Sequence, residues 1–222
     1  MPHKSGIIAS AKAAVGGGGG ASFFKQAYTD GTDGTTFTFA SVPIGTASAT
    51  RRVIVGIGWG GASATTLAGV TIGGVTATID VDSGAAIGNR RTVIASAIVP
   101  TGTTANVVVT MNASTGRMGI GVWAADGINP TGQTAIVINA ASGTLTTTTA
   151  VGAKVIAVGY SSRTSGSIIA TWTGATERYN QVTENTFDNT TGADTTAVGT
   201  STSIDFATDA GNARAYVAAV YA

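Results

Sequence analysis

The best-spaced reactive groups in the sequence are the carboxylates of Asp80 and Asp82. At i, i+2 on a strand they point to one face, and with backbone carbonyls such a pair can begin a calcium site. A solvated strand end before Ser83-Gly84 explains the pair more simply. Asp30-Gly31-Thr32-Asp33-Gly34 invites the calcium reading too, but Asp-Gly pairs mostly make turns, and a calcium loop with its closing Glu is missing. A hydrolase relying on Asp80 and Asp82 is the least favoured function. The only histidine is His3, far from any packed element, so a Ser-His-Asp triad has no oriented base. Glu177 and Glu184 are the only glutamates, and there is no cysteine for a thiolate nucleophile or a sulfur-ligated metal. Gly56-Ile57-Gly58-Trp59-Gly60-Gly61 has scrambled glycine spacing without a following Lys-Ser/Thr or helix, and reads as a strand end with a flexible loop. The expectation is a non-enzymatic protein without cofactor or metal.

Binding chemistry is the other possibility. Trp59, Trp172 and Tyr179, with Tyr160, fall near strand ends or loops, where a ring could stack on a sugar; the plainer expectation is that most of them cap the core. Arg51-Arg52 and Arg90-Arg91 flank apolar runs and read as gatekeepers against aggregation.

The elements that would carry these side chains are strands. Thr36-Phe37-Thr38-Phe39 alternates with period two, and Arg52–Ile57 reads as a strand buried on both faces. Val70-Thr71-Ile72 and Val75–Ile79 flank Gly73-Gly74 as a hairpin. Thr92–Val99 precedes the turn Pro100-Thr101-Gly102; Asn106–Met111 and Met118–Trp123 follow. Later strands are expected at 134–138, 154–160, 168–172, 202–206 and 214–221. No long stretch has helical period. The sequence therefore predicts an all-β, antiparallel β-sandwich of jelly-roll type, with residues 23–222 as one domain.

Residues 1–22 stand apart. Lys4, Lys12 and Lys25 all precede the first acidic residue, Asp30, so a basic leader joins a faintly acidic body. Ile7 to Val15 is too short to span a membrane, makes a poor signal-peptide core, and is too short for a lasting helix. Gly16–Gly20 reads as a flexible hinge. A frayed terminus is the common fate of such a segment. As a docking arm it would bind a partner through Lys4, Ile7, Ile8, Lys12 and Val15. Charged residues are only 10% of the chain against roughly 25% in ordinary soluble domains. A surface so poor in charge suits a protein packed into a large assembly, and the basic content falls far short of a nucleic-acid footprint. Neither nucleic acid nor membrane is an expected partner.

Two segment pairs echo one another. Arg51–Trp59 resembles Ala153–Tyr160, and Arg117–Ala124 resembles Arg214–Ala222, each opening near a basic residue and closing near an aromatic one. Either these are coincidences among low-complexity strands, or the two halves form one pseudo-symmetric sandwich. Taken with the lysine-bearing arm, the Gly16–Gly20 hinge and the Val-Ile-Gly strands ending on Trp59, Trp123 and Tyr160, the chain resembles the β-sandwich accessory proteins of tailed-phage virions. That resemblance is one of texture and carries no functional residue across. It implies a homo-oligomer, a trimer or another symmetric assembly, on the virion surface. The expected partners are other virion proteins of capsid or tail. The leading expectation is a capsid decoration or head-fibre protein anchored by its arm. The alternative is a tail receptor- or glycan-binding module using Trp59, Trp172 and Tyr179.

Overall fold

The structure is a computed structural model describing residues 23–61, 65–84, 90–138, 142–162, 170–184, 188–208 and 214–222. The arm, with Lys4, Ile7, Ile8, Lys12 and Val15, lies outside the described residues, as does His3.

Sixteen strands and no helix occur among the described residues. The first half contains β1 (Phe24–Asp30), β2 (Gly34–Pro43), β3 (Arg51–Gly60), β4 (Leu67–Ile72), β5 (Val75–Thr76), β6 (Thr78–Asp82), β7 (Arg90–Ile98) and β8 (Thr104–Asp126). The second contains β9 (Pro130–Ile138), β10 (Ser142–Thr148), β11 (Lys154–Ser162), β12 (Ala170–Thr173), β13 (Thr176–Glu184), β14 (Asp188–Thr196), β15 (Ser201–Thr208) and β16 (Arg214–Tyr221). Every pairing is antiparallel. The expected strands at Asn106–Met111 and Met118–Trp123 are one strand, β8. Its first half pairs with β2 and β4 and its second with β1 and β3, so one eight-stranded sheet folds over along it. Near the bend Arg117 takes a left-handed φ of 59°, a conformation that non-glycine residues rarely adopt.

The strand orders show a duplication. One leaf of the first half runs β1-β8-β3-β7-β6, and the second half contains β9-β16-β11-β14-β13. The other leaf, β2-β8-β4-β5, corresponds to β10-β15-β12. Numbered within each half, the two orders coincide except that β5 has no counterpart and β8 is split into β15 and β16. The echoed segments lie on corresponding strands, β3 with β11 and the second part of β8 with β16.

The halves do not share a single sandwich core. One cluster, including Phe37, Phe39, Val55, Ile57, Trp59, Val107 and Val122, lies wholly within the first half. Another, including Leu145, Val155, Ile204, Phe206 and Tyr216, lies wholly within the second. A third joins Ile54, Ile94 and Trp123 to Ile156, Val158, Tyr179, Val217 and Tyr221. The result is four layers, with the two central sheets covered on both faces. That is why β3, β7, β11 and β16 read as almost unbroken apolar runs: neither face needs to be polar.

Glycines set how closely the central sheets approach. A Cβ on Gly56 would collide with Val158, one on Gly119 with Thr190, and one on Gly121 with Tyr179. At Gly60 it would lie 2.8 Å from the Tyr160 ring. Within its own sheet Tyr179 also covers Gly192, its cross-strand neighbour. The run Gly56–Gly60 is therefore a strand face that receives side chains, correcting the reading of a flexible loop; only Gly61 lies beyond β3.

Two outcomes follow from this packing. Gly121→Val should destabilise the fold by about 1–3 kcal/mol or more through overpacking, whereas Gly69→Ala, with open space around it, should stay close to wild type; denaturant midpoints measure both. Burial raises the phenol pKa of Tyr160, Tyr179, Tyr216 and Tyr221 above its ordinary value, with nearby Asp188 adding to this at Tyr160 and Asp80 at Tyr221. The unfolded chain releases these protons near pH 10 while the folded chain keeps them. Stability should thus be held below about pH 10 and decline above it, as thermal melts at stepped alkaline pH will read.

Candidate functional site

Strand directions define two ends. At one, the arm end, Phe23 begins the described chain beside β8: the Ala124 N–H donates to the Phe23 carbonyl at 2.9 Å. Phe24 meets Trp123 edge-on at 5.3 Å and stacks on Tyr179 at 6.0 Å. Lys154 Nζ sits 5.9 Å from the Phe23 ring centre. Ala222 closes on the same end, exchanging backbone bonds of 2.8 and 3.0 Å with Asn129. The described chain therefore begins at the seam between the two central sheets.

Arginines hold this end rigid. Arg51, buried at the start of β3, donates through Nε and Nη2 to the Val99 carbonyl at 2.9 and 2.6 Å, and through Nη2 to that of Thr101 at 2.7 Å. Its Nη1 donates to the carbonyls of Gly45 at 2.8 Å and Gly102 at 2.9 Å. One planar guanidinium thus ties two loops together. Arg52 donates to the Ile128 carbonyl, Ser96 Oγ and Asn129 Oδ1 at 2.8–3.0 Å. Burial, then the charge of Arg51, lowers the pKa of the Lys25 ammonium, with Asp126 opposing.

On this rigid end lie exposed apolar tips. Val151 is 74% exposed and Val198 92%. Their turns are neighbours: the Gly152 N–H donates to the Ala197 carbonyl, and the Ala197 N–H to that of Ala153, both at 2.8 Å. Val75 and Ile98 are also exposed toward this end. Scattered single apolar residues are ordinary on a surface, and these two valines stand on adjoining turns at the same end as Phe23.

The opposite, loop end gathers Gly60, Arg90, Arg117, Ser162, Asp188 and Arg214 at the ends of the central strands.

Several expected sites are reassigned. Trp59 is fully buried in the first core, its Nε1 donating to Thr65 Oγ1 at 3.0 Å. Tyr179 is buried between the central sheets. Neither ring offers a face to a sugar, because each fills a core position. Trp172 is half-buried, packs on Phe206 at 4.7 Å and donates to Thr191 Oγ1 at 2.8 Å. Asp80 and Asp82 do not converge on an ion. Asp80 Oδ2 accepts from the Tyr221 hydroxyl at 2.6 Å, whereas Asp82 forms a two-pronged pair with Arg91 at 2.7 and 2.6 Å. No group of three or more potential metal-ligating His, Cys, Asp or Glu residues occurs among the described residues. Asp30 makes the expected turn, its Oδ1 accepting from the Thr32 N–H at 2.9 Å and hydroxyl at 2.6 Å. The arginine pairs are not simple gatekeepers: Arg51 and Arg52 organise loops, Arg91 pairs with Asp82, and Arg90 donates to Ser162 Oγ at 2.7 Å. Asp194 was not singled out by spacing, yet it accepts from Trp123 Nε1 at 2.7 Å and doubly from Arg178 at 2.8 Å.

Comparisons with protein-family models, curated proteins and solved structures find no match to this chain.

Arg51→Met should cost about 3–5 kcal/mol, since it strips a buried charge group from its partners and leaves several carbonyls unpaired. Arg52→Ala, at a partly exposed site, should cost about 1 kcal/mol. Thermal unfolding of both variants checks the order.

Proposed function

We propose that this is a non-enzymatic structural protein of a phage-type virion, attached to its particle through the arm end, with decoration of the capsid as its leading role. The carrying observation is the placement of Val151 and Val198 on adjoining turns at the end of the body where Phe23 begins the described chain. A rigid end with apolar tips and a basic tether offers two modest contacts that act together. On a lattice of repeated sites, the tether raises the effective concentration of the body at its docking point. The same end would face a neighbouring virion protein in a symmetric homo-oligomer on the virion surface.

The strand orders support reading each half as a jelly roll, β1-β8-β3-β7 facing β2-β8-β4-β5 and its repeat, a fold suited to rigid assembly units. A tail receptor-binding module is the second reading, favoured by the polar groups collected at the loop end, away from the attachment face.

Copy number in purified particles separates the two: decoration predicts many copies and particles that weaken without the protein, a tail module few copies and lost attachment to cells. Deleting residues 1–22, or replacing both Val151 and Val198 by Asp, should leave a folded body that no longer joins the particle. Normal incorporation of both variants would overturn attachment through the arm end.

A further inference from the structure

The two halves meet as the subunits of a symmetric dimer meet. β3 touches its counterpart β11, and the other principal contacts between the halves come in reciprocal pairs. β7 on β16 is matched by β14 on β8, and β7 on β11 by β14 on β3. Likewise β1 on β13 is matched by β9 on β6, and β8 on β13 by β16 on β6. Such reciprocity marks an isologous, two-fold interface. The two faces are nevertheless not interchangeable. Gly56 and Gly121 of the first half receive Val158 and Tyr179 of the second, so two first-half faces would set hollow against hollow. A first half needs a second half, from its own chain or from another.

Three features let the second half come from another copy. No strand of β1–β8 pairs with a strand of β9–β16, so side chains and not a backbone ladder hold the halves together. The Trp123 Nε1 donates across to Asp194 Oδ2 at 2.7 Å, and the Tyr221 hydroxyl to Asp80 Oδ2 at 2.6 Å. Each half also has a hydrophobic core wholly its own. Finally, only residues 127–129 join β8 to β9. Gly127 turns there with a left-handed φ of 69°, its N–H donating to the Thr50 carbonyl at 3.1 Å, and nothing lies within 4 Å of a Cβ placed on it. Drawn out straight, the chain from Asp126 to Pro130 spans about 14 Å, from one body toward a second abutting its arm end.

We propose that the halves exchange between two copies of this chain, the first half of each packing on the second half of the other in a closed two-fold dimer. Every contact between the faces is remade in the exchanged pair, and only the turn at Gly127 opens out. A short joint gives the single chain an effective concentration on the order of 1 mM, so exchange competes when the protein itself is that concentrated, as on a crowded lattice. The inference does not rest on attachment to a particle: mass in solution tests exchange, and incorporation tests attachment.

The test unfolds the full-length protein and refolds it at about 10 μM and about 1 mM, below and at that effective concentration, with mass read by light scattering after size exclusion. A dimer should form at the higher concentration. Gly127→Val adds a side chain in open space and penalises only the left-handed turn that exchange opens out. It should raise the association constant about a hundredfold, tenfold for each of the two joints. Gly74→Val, equally open and left-handed but inside the β4–β5 hairpin, should leave the constant unchanged. A mixture separates exchange from plain association. Gly121→Val collides with Tyr179 and Tyr179→Ala leaves a void, but an exchanged pair places both substitutions in one body, where they offset each other, and leaves the other body wild type. Refolding the two variants together should give a mixed dimer that melts above either parent, or recover folded protein if a parent alone does not fold. Monomers throughout for both wild type and Gly127→Val, a dimer that Gly127→Val does not favour over Gly74→Val, or a mixture without rescue would overturn the proposal.

Discussion

Everything else in the molecule depends on how closely the two central sheets approach. Glycines on β3 and β8 remove side chains from one surface, and Val158, Tyr160, Tyr179 and Thr190 fill the space from the other. This knob-and-hollow arrangement is asymmetric although the strand order is duplicated. The first half supplies hollows and the second supplies most of the rings. The difference between the halves at these few positions gives the two units a defined mutual register, since overpacking or a void would be felt at once in so dense an interior.

The interface changes character along its length. Toward the arm end aromatic packing dominates, with Phe24 against Trp123 and Tyr179, and the Asp194 and Asp80 carboxylates there accept from Trp123 and Tyr221. Toward the loop end it is polar, with Arg117, Asp188 and Tyr160 in place of aliphatic side chains.

Legibility followed side-chain periodicity. Fully buried strands such as β3, β11 and β16 stood out because both faces are apolar, and the β4–β5 hairpin was marked by Gly73-Gly74, both with positive φ. β13 and β14 were missed. Their sequences, TERYNQVTE and DNTTGADTT, show no apolar alternation, yet Thr190, Thr191, Gly192 and Ala193 are buried because glycine hollows and ring faces surround them. The aromatics near strand ends suggested sugar stacking for the same reason: position along the chain says nothing about which ring faces inward.

By itself, then, the sequence determined the all-β class, the antiparallel strands and the echo between halves, since these reside in residue type and spacing of two. Only the tertiary structure decided that the halves form separate cores pressed face to face, that Trp59 and Tyr179 are buried, and that Asp80 and Asp82 serve different partners. Those facts depend on which strands become neighbours across layers, and contacts between residues far apart in the chain leave no local period to read.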